Sequence, residues 1–172
     1  MDDQEILNRV IEAKREFGVK CSKYAGALTV EAIMSALQEN GLPVSARDVF
    51  IRGVPIEIDL LIPLHQDESR HRILYDPSEV KVVFEIKNTG AFGEVSVNAI
   101  RQNFSRIQQT NKNIFCFYVT LSERRNYKWA ITTDTLGFDA FTLFWHNGSH
   151  NKMIFSSSGD WQKLLDKLRS LI

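Results

Sequence analysis

The stretch VVFEIKNTG, Val82 to Gly90, sets a carboxylate and an ammonium, Glu85 and Lys87, two residues apart in an otherwise apolar run. Side chains alternate across a strand, so Val83, Glu85 and Lys87 share one face and Val82, Phe84 and Ile86 the other. Charges on a strand are costly to desolvate unless something pairs with them. Upstream, PIEIDLLIP carries a further acid, Asp59, among apolar neighbours. With Glu57 and Leu61 it falls on the face opposite Ile56, Ile58 and Leu60. If the two strands are neighbours, Asp59 and Glu85 converge. Converging carboxylates suit a hard divalent cation: magnesium takes oxygen ligands, typically one or two protein carboxylates with carbonyls and waters. Asp59 and Glu85 would supply the acids and the Ile86 main-chain carbonyl a third oxygen. Lys87 would favour hydroxide over water and steady the charge that grows on a phosphate in the transition state. Phosphodiester hydrolysis is the chemistry this set suits, with Asp59, Glu85 and Lys87 as its catalytic residues. The spacing of Glu85 and Lys87 alone also fits a solvent-facing strand, and Asp59 on a neighbouring apolar strand is what argues against that.

For these residues to meet, two strands must be held in one sheet. A chain of 172 residues, 44% hydrophobic and without a Pro- or Gly-rich linker, is expected to form one domain over 1–172. Helical spacing of Ile6, Val10, Ile11 and Phe17 predicts a helix over Asp3 to Phe17. Val30, Ile33, Met34 and Leu37, ahead of Gly41, predict a second over Thr29 to Asn40. Asp48 to Arg52 reads as a short strand and Ile56 to Ile62 as a longer one stopped by Pro63. The polar segment from Leu64 to Pro77 reads as an inserted loop or a hairpin around Arg72 to Tyr75. The strand Val80 to Asn88 follows, broken by Gly90 and Gly93. Val97, Ile100, Phe104 and Ile107 mark a third helix, and Ile114 to Leu121 a buried strand. Tyr127 to Thr132, Ala140 to Trp145 and Met153 to Phe155 read as further strands. Ser158 or Asp160 caps a last helix through Leu171 with Trp161, Leu164, Leu165 and Leu168 inward. This order predicts an α/β domain on a mixed sheet.

Lys and Arg together number 21, as do Asp and Glu, so no net field draws the molecule to nucleic acid or membrane. Charge has to act locally. No acid falls between Val95 and Ser122, where Arg101, Arg106 and Lys112 lie, with Arg124, Arg125 and Lys128 soon after. This is either a solvated helix face or a nucleic-acid-binding surface. Lys14, Arg15, Lys20 and Lys23 stand close to Glu12 and Glu16 and read as a self-neutralised helix surface. No run approaches the roughly 18 apolar residues of a membrane span, and the acidic, polar N-terminus is no signal peptide, so no membrane partner and a cytoplasmic location are expected. Cys21 and Cys116 show no CxxC spacing and read as free thiols. His65 and His71 lack a second ligand pair for zinc. His146 and His150 flank Asn147-Gly148, a hairpin-turn signal. No Gly-rich nucleotide loop or Ser/His/Asp arrangement is visible.

The ordered set of Asp59 in PIEIDLLIP, Glu85 and Lys87 in FEIKNTG, and Glu31 in the helix GALTVEAIMSALQENG resembles the PD-(D/E)xK nuclease superfamily, the restriction-endonuclease-like fold. The resemblance covers roughly Ala25 to Val119. It implies an αβββαβ core with a mixed central sheet flanked by helices, the extra strands and helix lying C-terminal to it. It further implies Glu31, Asp59, Glu85 and Ile86 as metal ligands, with magnesium as cofactor and manganese as a substitute. Asp59, Glu85 and Lys87 become the catalytic set of an endonuclease or phosphodiesterase, acting on DNA in restriction, repair, recombination or a mobile element. Similar nucleases place a phosphate-contacting residue on the helix after the ExK strand, which points to Arg101 and Gln102 beside Arg106 and Lys112. Related folds often dimerise to cut both strands, so a homodimer is among the implied assemblies. Two departures stand out: Ile58, not proline, precedes Asp59, with Pro55 four residues before the acid, and the segment Leu64 to Pro77 lengthens the gap between Asp59 and Glu85. The alternative is a nuclease-fold module without catalysis that binds nucleic acid or a protein.

Overall fold

The computed structural model describes residues 1–16, 22–45, 47–65, 72–89, 93–124, 137–147 and 154–172, the side chains of 22 and 23 excepted. Helices α1 (Asp3–Glu16) and α2 (Ser22–Glu39) open the chain. Apolar residues at helical spacing, Ile6, Leu7 and Val10 of α1 and Ile33, Ala36 and Leu37 of α2, join one buried cluster. α2 starts well before Thr29, because its first turns carry Ala25, Gly26 and Ala27, too small to give a clear periodic signal.

The strands that follow are β1 (Val49–Ile51), β2 (Glu57–Ile58), β3 (Leu60–Pro63), β4 (Leu74–Tyr75) and β5 (Val80–Thr89), the last entered through a 3₁₀ turn at Pro77–Glu79. Then come α3 (Glu94–Thr110), β6 (Phe115–Arg124), β7 (Asp139–Asn147), β8 (Ile154–Ser157) and α4 (Asp160–Leu171). Among the described residues they form a three-stranded sheet, β2-β1-β4, and a five-stranded sheet, β3-β5-β6-β7-β8. The larger sheet is mixed: β5-β6 and β6-β7 are parallel, β3-β5 and β7-β8 antiparallel. The parallel step from β5 to β6 requires a crossover, which α3 supplies. The α/β class and the restriction-endonuclease-like order of helix, strands, helix and strand are as expected.

Both faces of the larger sheet are covered. Phe84, Ile86, Phe117 and Val119 pack against α1, α2 and α4. Val83, Cys116 and Tyr118 meet Val97, Ile100, Phe104 and Ile107 of α3 on the other face. Among the described residues, the surface that carries Glu85 and Lys87 is therefore largely a second core, with a cleft at the end of β5 from Ile86 to Thr89. Burial without a charged partner pushes the free Cys116 thiol up to about 12, so it is inert packing.

Three sequence expectations are corrected. The strand Ile56 to Ile62 is two strands in two sheets, broken at Asp59: Ile58 joins the α3-side cluster with Leu61, and Leu60 joins the opposite one with Ile62. Strict alternation would have put Ile58 and Leu60 together. Within the segment Leu64 to Pro77, expected as a loop or a hairpin around Arg72 to Tyr75, β4 pairs in parallel with β1. At α4 the capping position is Gly159 and neither Ser158 nor Asp160: Ser158 Oγ accepts the Asp160 N–H at 2.9 Å from one residue further out, while the Asp160 carboxylate accepts the Thr142 N–H at 3.1 Å. The expected strand at 127–132 lies outside the described residues, as do Cys21, His71 and the turn after Asn147.

Phe84 is 1% exposed and meets Phe117 edge-on, ring centroids 5.9 Å apart. Phe84→Ala should cost about 3–5 kcal/mol of unfolding free energy in urea titration. Val95→Ala, at a residue 85% exposed on α3, should stay within about 0.5 kcal/mol of wild type in the same assay.

Candidate active site

The ladder between β3 and β5 ends at the pair Leu60 and Phe84. One residue earlier on the first strand, the Asp59 carboxylate Oδ2 accepts the Ile86 N–H at 2.6 Å. A side chain thus takes the amide that the next main-chain carbonyl of a continuous ladder would have bonded. Because the N–H and C=O of one strand residue project to the same edge, the Ile86 carbonyl also faces Asp59. A short loop backs this corner: Ser45 exchanges bonds with Leu61, N–H to carbonyl at 2.8 Å and Leu61 N–H to Ser45 Oγ at 3.0 Å, and the Asp48 N–H reaches the Asp59 carbonyl at 3.2 Å. Asp48 adopts φ 59°, left-handed backbone that aspartate tolerates better than most side chains.

On β5, Lys87 Nζ lies 2.5 Å from Glu85 Oε1. Asp59 and Lys87 open on one cleft of about 600 Å³, walled by Gly26, Ala27 and Val30 of α2, by Arg47 and Asp48, by Glu57, and by the end of β5 from Ile86 to Thr89. Glu85 does not line the cleft; it is 19% exposed, and its charge acts on Asp59. The sequence-predicted acids Asp59 and Glu85 are therefore together, with Lys87 on Glu85 and the Ile86 backbone beside them.

The electrostatics follow from this crowding. Burial, and then the charge of Glu85, raise the Asp59 pKa to about 6 in spite of the Ile86 N–H and Lys87. Burial would lower the Lys87 pKa, but the Glu85 charge and hydrogen bond, with Asp59 behind them, hold it above the usual lysine value. Tyr118, register neighbour of Glu85 on β6 and fully buried, is kept protonated by burial and by the charges of Glu123, Glu85 and Asp59.

Two carboxylates and a carbonyl, with a protonated lysine alongside, fit a hard divalent cation whose remaining positions go to water. A cation at this point would offset both the burial of the Asp59 charge and its repulsion by Glu85. Glu31 stands apart, its Oε2 3.2 Å from Arg47 Nη1 and half exposed. Among the described residues, no three of His, Cys, Asp and Glu come together as a metal-holding group. Arg101, Gln102, Arg106 and Lys112 are all exposed, on α3 or just after it, and none lines the cleft. Lys14 departs from the surface expected of it: it turns inward, half-buried, and its Nζ reaches Asn88 Oδ1 at 3.1 Å. Sequence reading missed Arg47, Asn88 and Tyr118. Only Asn88 and Tyr118 left a signal, the first by adjoining Lys87 and the second as a tyrosine in the strand expected beside the ExK strand.

No family model matches the chain, and no curated protein matches it. Solved structures do. NucC from E. coli MS115-1 in its cAAA-bound form has a TM-score of 0.67 at 12% identity over 98% of this chain and 87% of that one. NucC from P. aeruginosa ATCC27853, also cAAA-bound, has a TM-score of 0.67 at 10% identity over 98% and 88%. The apo form of the E. coli protein gives 0.55 at 12% identity over 98% and 92%. The chain is similar to NucC in fold across nearly its whole length.

Asp59 binds its proton more tightly in the folded than in the unfolded chain, since its pKa is raised from 3.8 to about 6. Its stabilising contribution is full below the ordinary value and is lost as pH rises through about 6. At neutral pH the charged carboxylate costs about 1–3 kcal/mol. Asp59→Asn keeps an acceptor for the Ile86 N–H and removes that cost. In chelator at neutral pH it should melt higher than wild type, and the difference should vanish near the ordinary carboxylate pKa.

Proposed function

We propose that this chain is a metal-dependent nuclease that hydrolyses phosphodiester bonds, with DNA as its substrate. One observation carries the reading: the Asp59 carboxylate is fastened to the Ile86 N–H beside Glu85, and Lys87 pairs with Glu85 at the mouth of the same cleft. The fold likeness to NucC supports it, as does the resemblance of the Asp59, Glu85 and Lys87 set to the PD-(D/E)xK pattern. Asp59, Glu85 and the Ile86 carbonyl would hold magnesium, with manganese as a substitute. When bound, such a cation supplies Lewis acidity and neutralises charge at the phosphate. Lys87 keeps its proton and presents its ammonium to the water that attacks phosphorus and to the oxygens that gain charge as the ester P–O bond breaks. The half-buried setting strengthens that interaction relative to water. The exposed row of Arg101, Gln102, Arg106 and Lys112 supplies contacts to backbone phosphates outside the cleft, in a molecule whose net charge is zero.

Circular, linear, single-stranded and branched DNA, and RNA, incubated with the protein in magnesium, manganese or chelator provide the direct test. Metal-dependent cleavage is expected; binding without cleavage under every condition would leave the inactive binding module instead. Binding in calcium should weaken with salt with a slope set by a few phosphates, about −0.9 per contact on duplex DNA. Arg106→Ala should lower that slope by about one contact.

Asp59→Ala should abolish cleavage and the rise in melting temperature that magnesium gives the wild type. Lys87→Ala should keep that rise and still lose about 10²–10³ in rate. Glu31→Gln should show a smaller defect, in keeping with its place on Arg47. Wild-type cleavage by Lys87→Ala, with its fold intact by circular dichroism, would reduce FEIKNTG to an ordinary strand.

A further inference from the structure

Asn88 follows Lys87 in the chain, lines the same cleft and is held in one orientation by its neighbours. Lys14 Nζ lies 3.1 Å from Asn88 Oδ1. An ammonium can only donate, so the amide oxygen faces α1 and the NH2 group faces away from it. The Thr29 hydroxyl sits 3.2 Å from the same oxygen and 2.8 Å from the Ala25 carbonyl, which places α2 against that side of the amide as well. Among the described residues, nothing accepts a hydrogen bond from the Asn88 NH2.

Lys14 gives this arrangement its meaning. It is half-buried, burial lowers its pKa, and no described carboxylate lies within ion-pair distance of it. An aspartate at position 88 would satisfy that ammonium far better than a neutral amide does. What an aspartate could not do is donate a hydrogen bond into the cleft. Gly26 of α2 lines the same cleft and leaves room in it: a β-carbon built there meets nothing within 4 Å, although glycine inside a helix is unfavourable. The cleft thus has a donor beside Lys87 and free space at Gly26.

We propose that Asn88, aimed by Lys14, is a substrate-positioning residue whose NH2 donates to a non-bridging oxygen of a backbone phosphate in the nucleic-acid strand lying along the cleft. The inference rests on the nuclease reading and adds to it the grip that seats the strand over Lys87. A contact of this kind is made in the ground state and the transition state alike, so its loss appears in KM and not in kcat.

The test uses the full chain as wild type, Asn88→Asp, Asn88→Ala and Lys14→Met, with a short labelled DNA duplex. Affinity is measured in calcium, kcat and KM in magnesium, and melting temperature without DNA. Asn88→Ala should weaken binding and raise KM by about 10- to 100-fold, as expected for a hydrogen bond to a charged acceptor, and leave kcat within a few-fold. Asn88→Asp should bind more weakly still and yet melt no lower than wild type, because its carboxylate pairs with Lys14. Lys14→Met, which frees the amide to turn, should fall between wild type and Asn88→Ala in affinity. Wild-type KM in Asn88→Asp, or a fall in kcat and melting temperature at unchanged KM, would overturn the proposal and leave the nuclease reading standing. Failure of the wild type itself to bind or cut any nucleic acid would overturn both.

Discussion

The bond from the Ile86 N–H to the Asp59 carboxylate governs the arrangement of the molecule around its cleft, because it replaces a main-chain hydrogen bond at the point where one strand divides between two sheets. Had β3 continued past Leu60 in ladder with β5, a backbone carbonyl would have taken that amide and residue 59 would have been one more alternating side chain. The turn at Asp59 sends β2 into the smaller sheet, and the carboxylate fills the vacated ladder position. Its oxygen is thereby carried to the edge of β5 beside Glu85, at a spot fixed by backbone geometry and not by a flexible side chain alone. The loop from Ser45 to Asp48 depends on the same corner, since its bonds run to Leu61 and to the Asp59 carbonyl.

The charges there do not sum to zero. Two carboxylates, Glu85 and Asp59, share one ammonium: Lys87 pairs with Glu85, and its charge together with the Ile86 N–H only partly offsets the burial of Asp59. Its raised pKa expresses first its burial and then the charge of Glu85. A site selected only for stability would carry an amide or an apolar residue at this corner. Groups whose pKa values are pushed off their ordinary positions by burial and by each other, in an open cleft, support the proposed nuclease reading.

Much of this was legible in the sequence. Period-two alternation separated Glu85 and Lys87 from Phe84 and Ile86, and an acid inside PIEIDLLIP stood out because apolar strands seldom hold one. Helical spacing located α1, α3 and α4 through Ile6, Val10, Phe104 and Leu165. The break at Asp59 was not legible, since EIDLLI reads as one continuous strand and the exchange of faces between Ile58 and Leu60 is settled by partners far along the chain. Glu31 could be matched by motif but not by place, as a helix position does not reveal that Arg47 will draw its carboxylate aside. Lys14 looked like surface because Glu12 and Glu16 are its sequence neighbours; its actual partner, Asn88, is 74 residues away.

The bond at Asp59 also fixes the register of β3 against β5. A strand in a simple half-buried sheet can slip by one residue at the cost of one hydrophobic face. Here a slip of β3 against β5 would exchange Leu60 and Leu61 between two clusters on opposite sides of the sheet, pull the chain out of step with β1, and separate Asp59 from the Ile86 amide. Because β3 is apolar on both faces, Leu60 and Leu61 would trade places with little loss of burial, and what a slipped chain forfeits is the Asp59–Ile86 bond and the step with β1, so a polar contact and not the two cores sets the register.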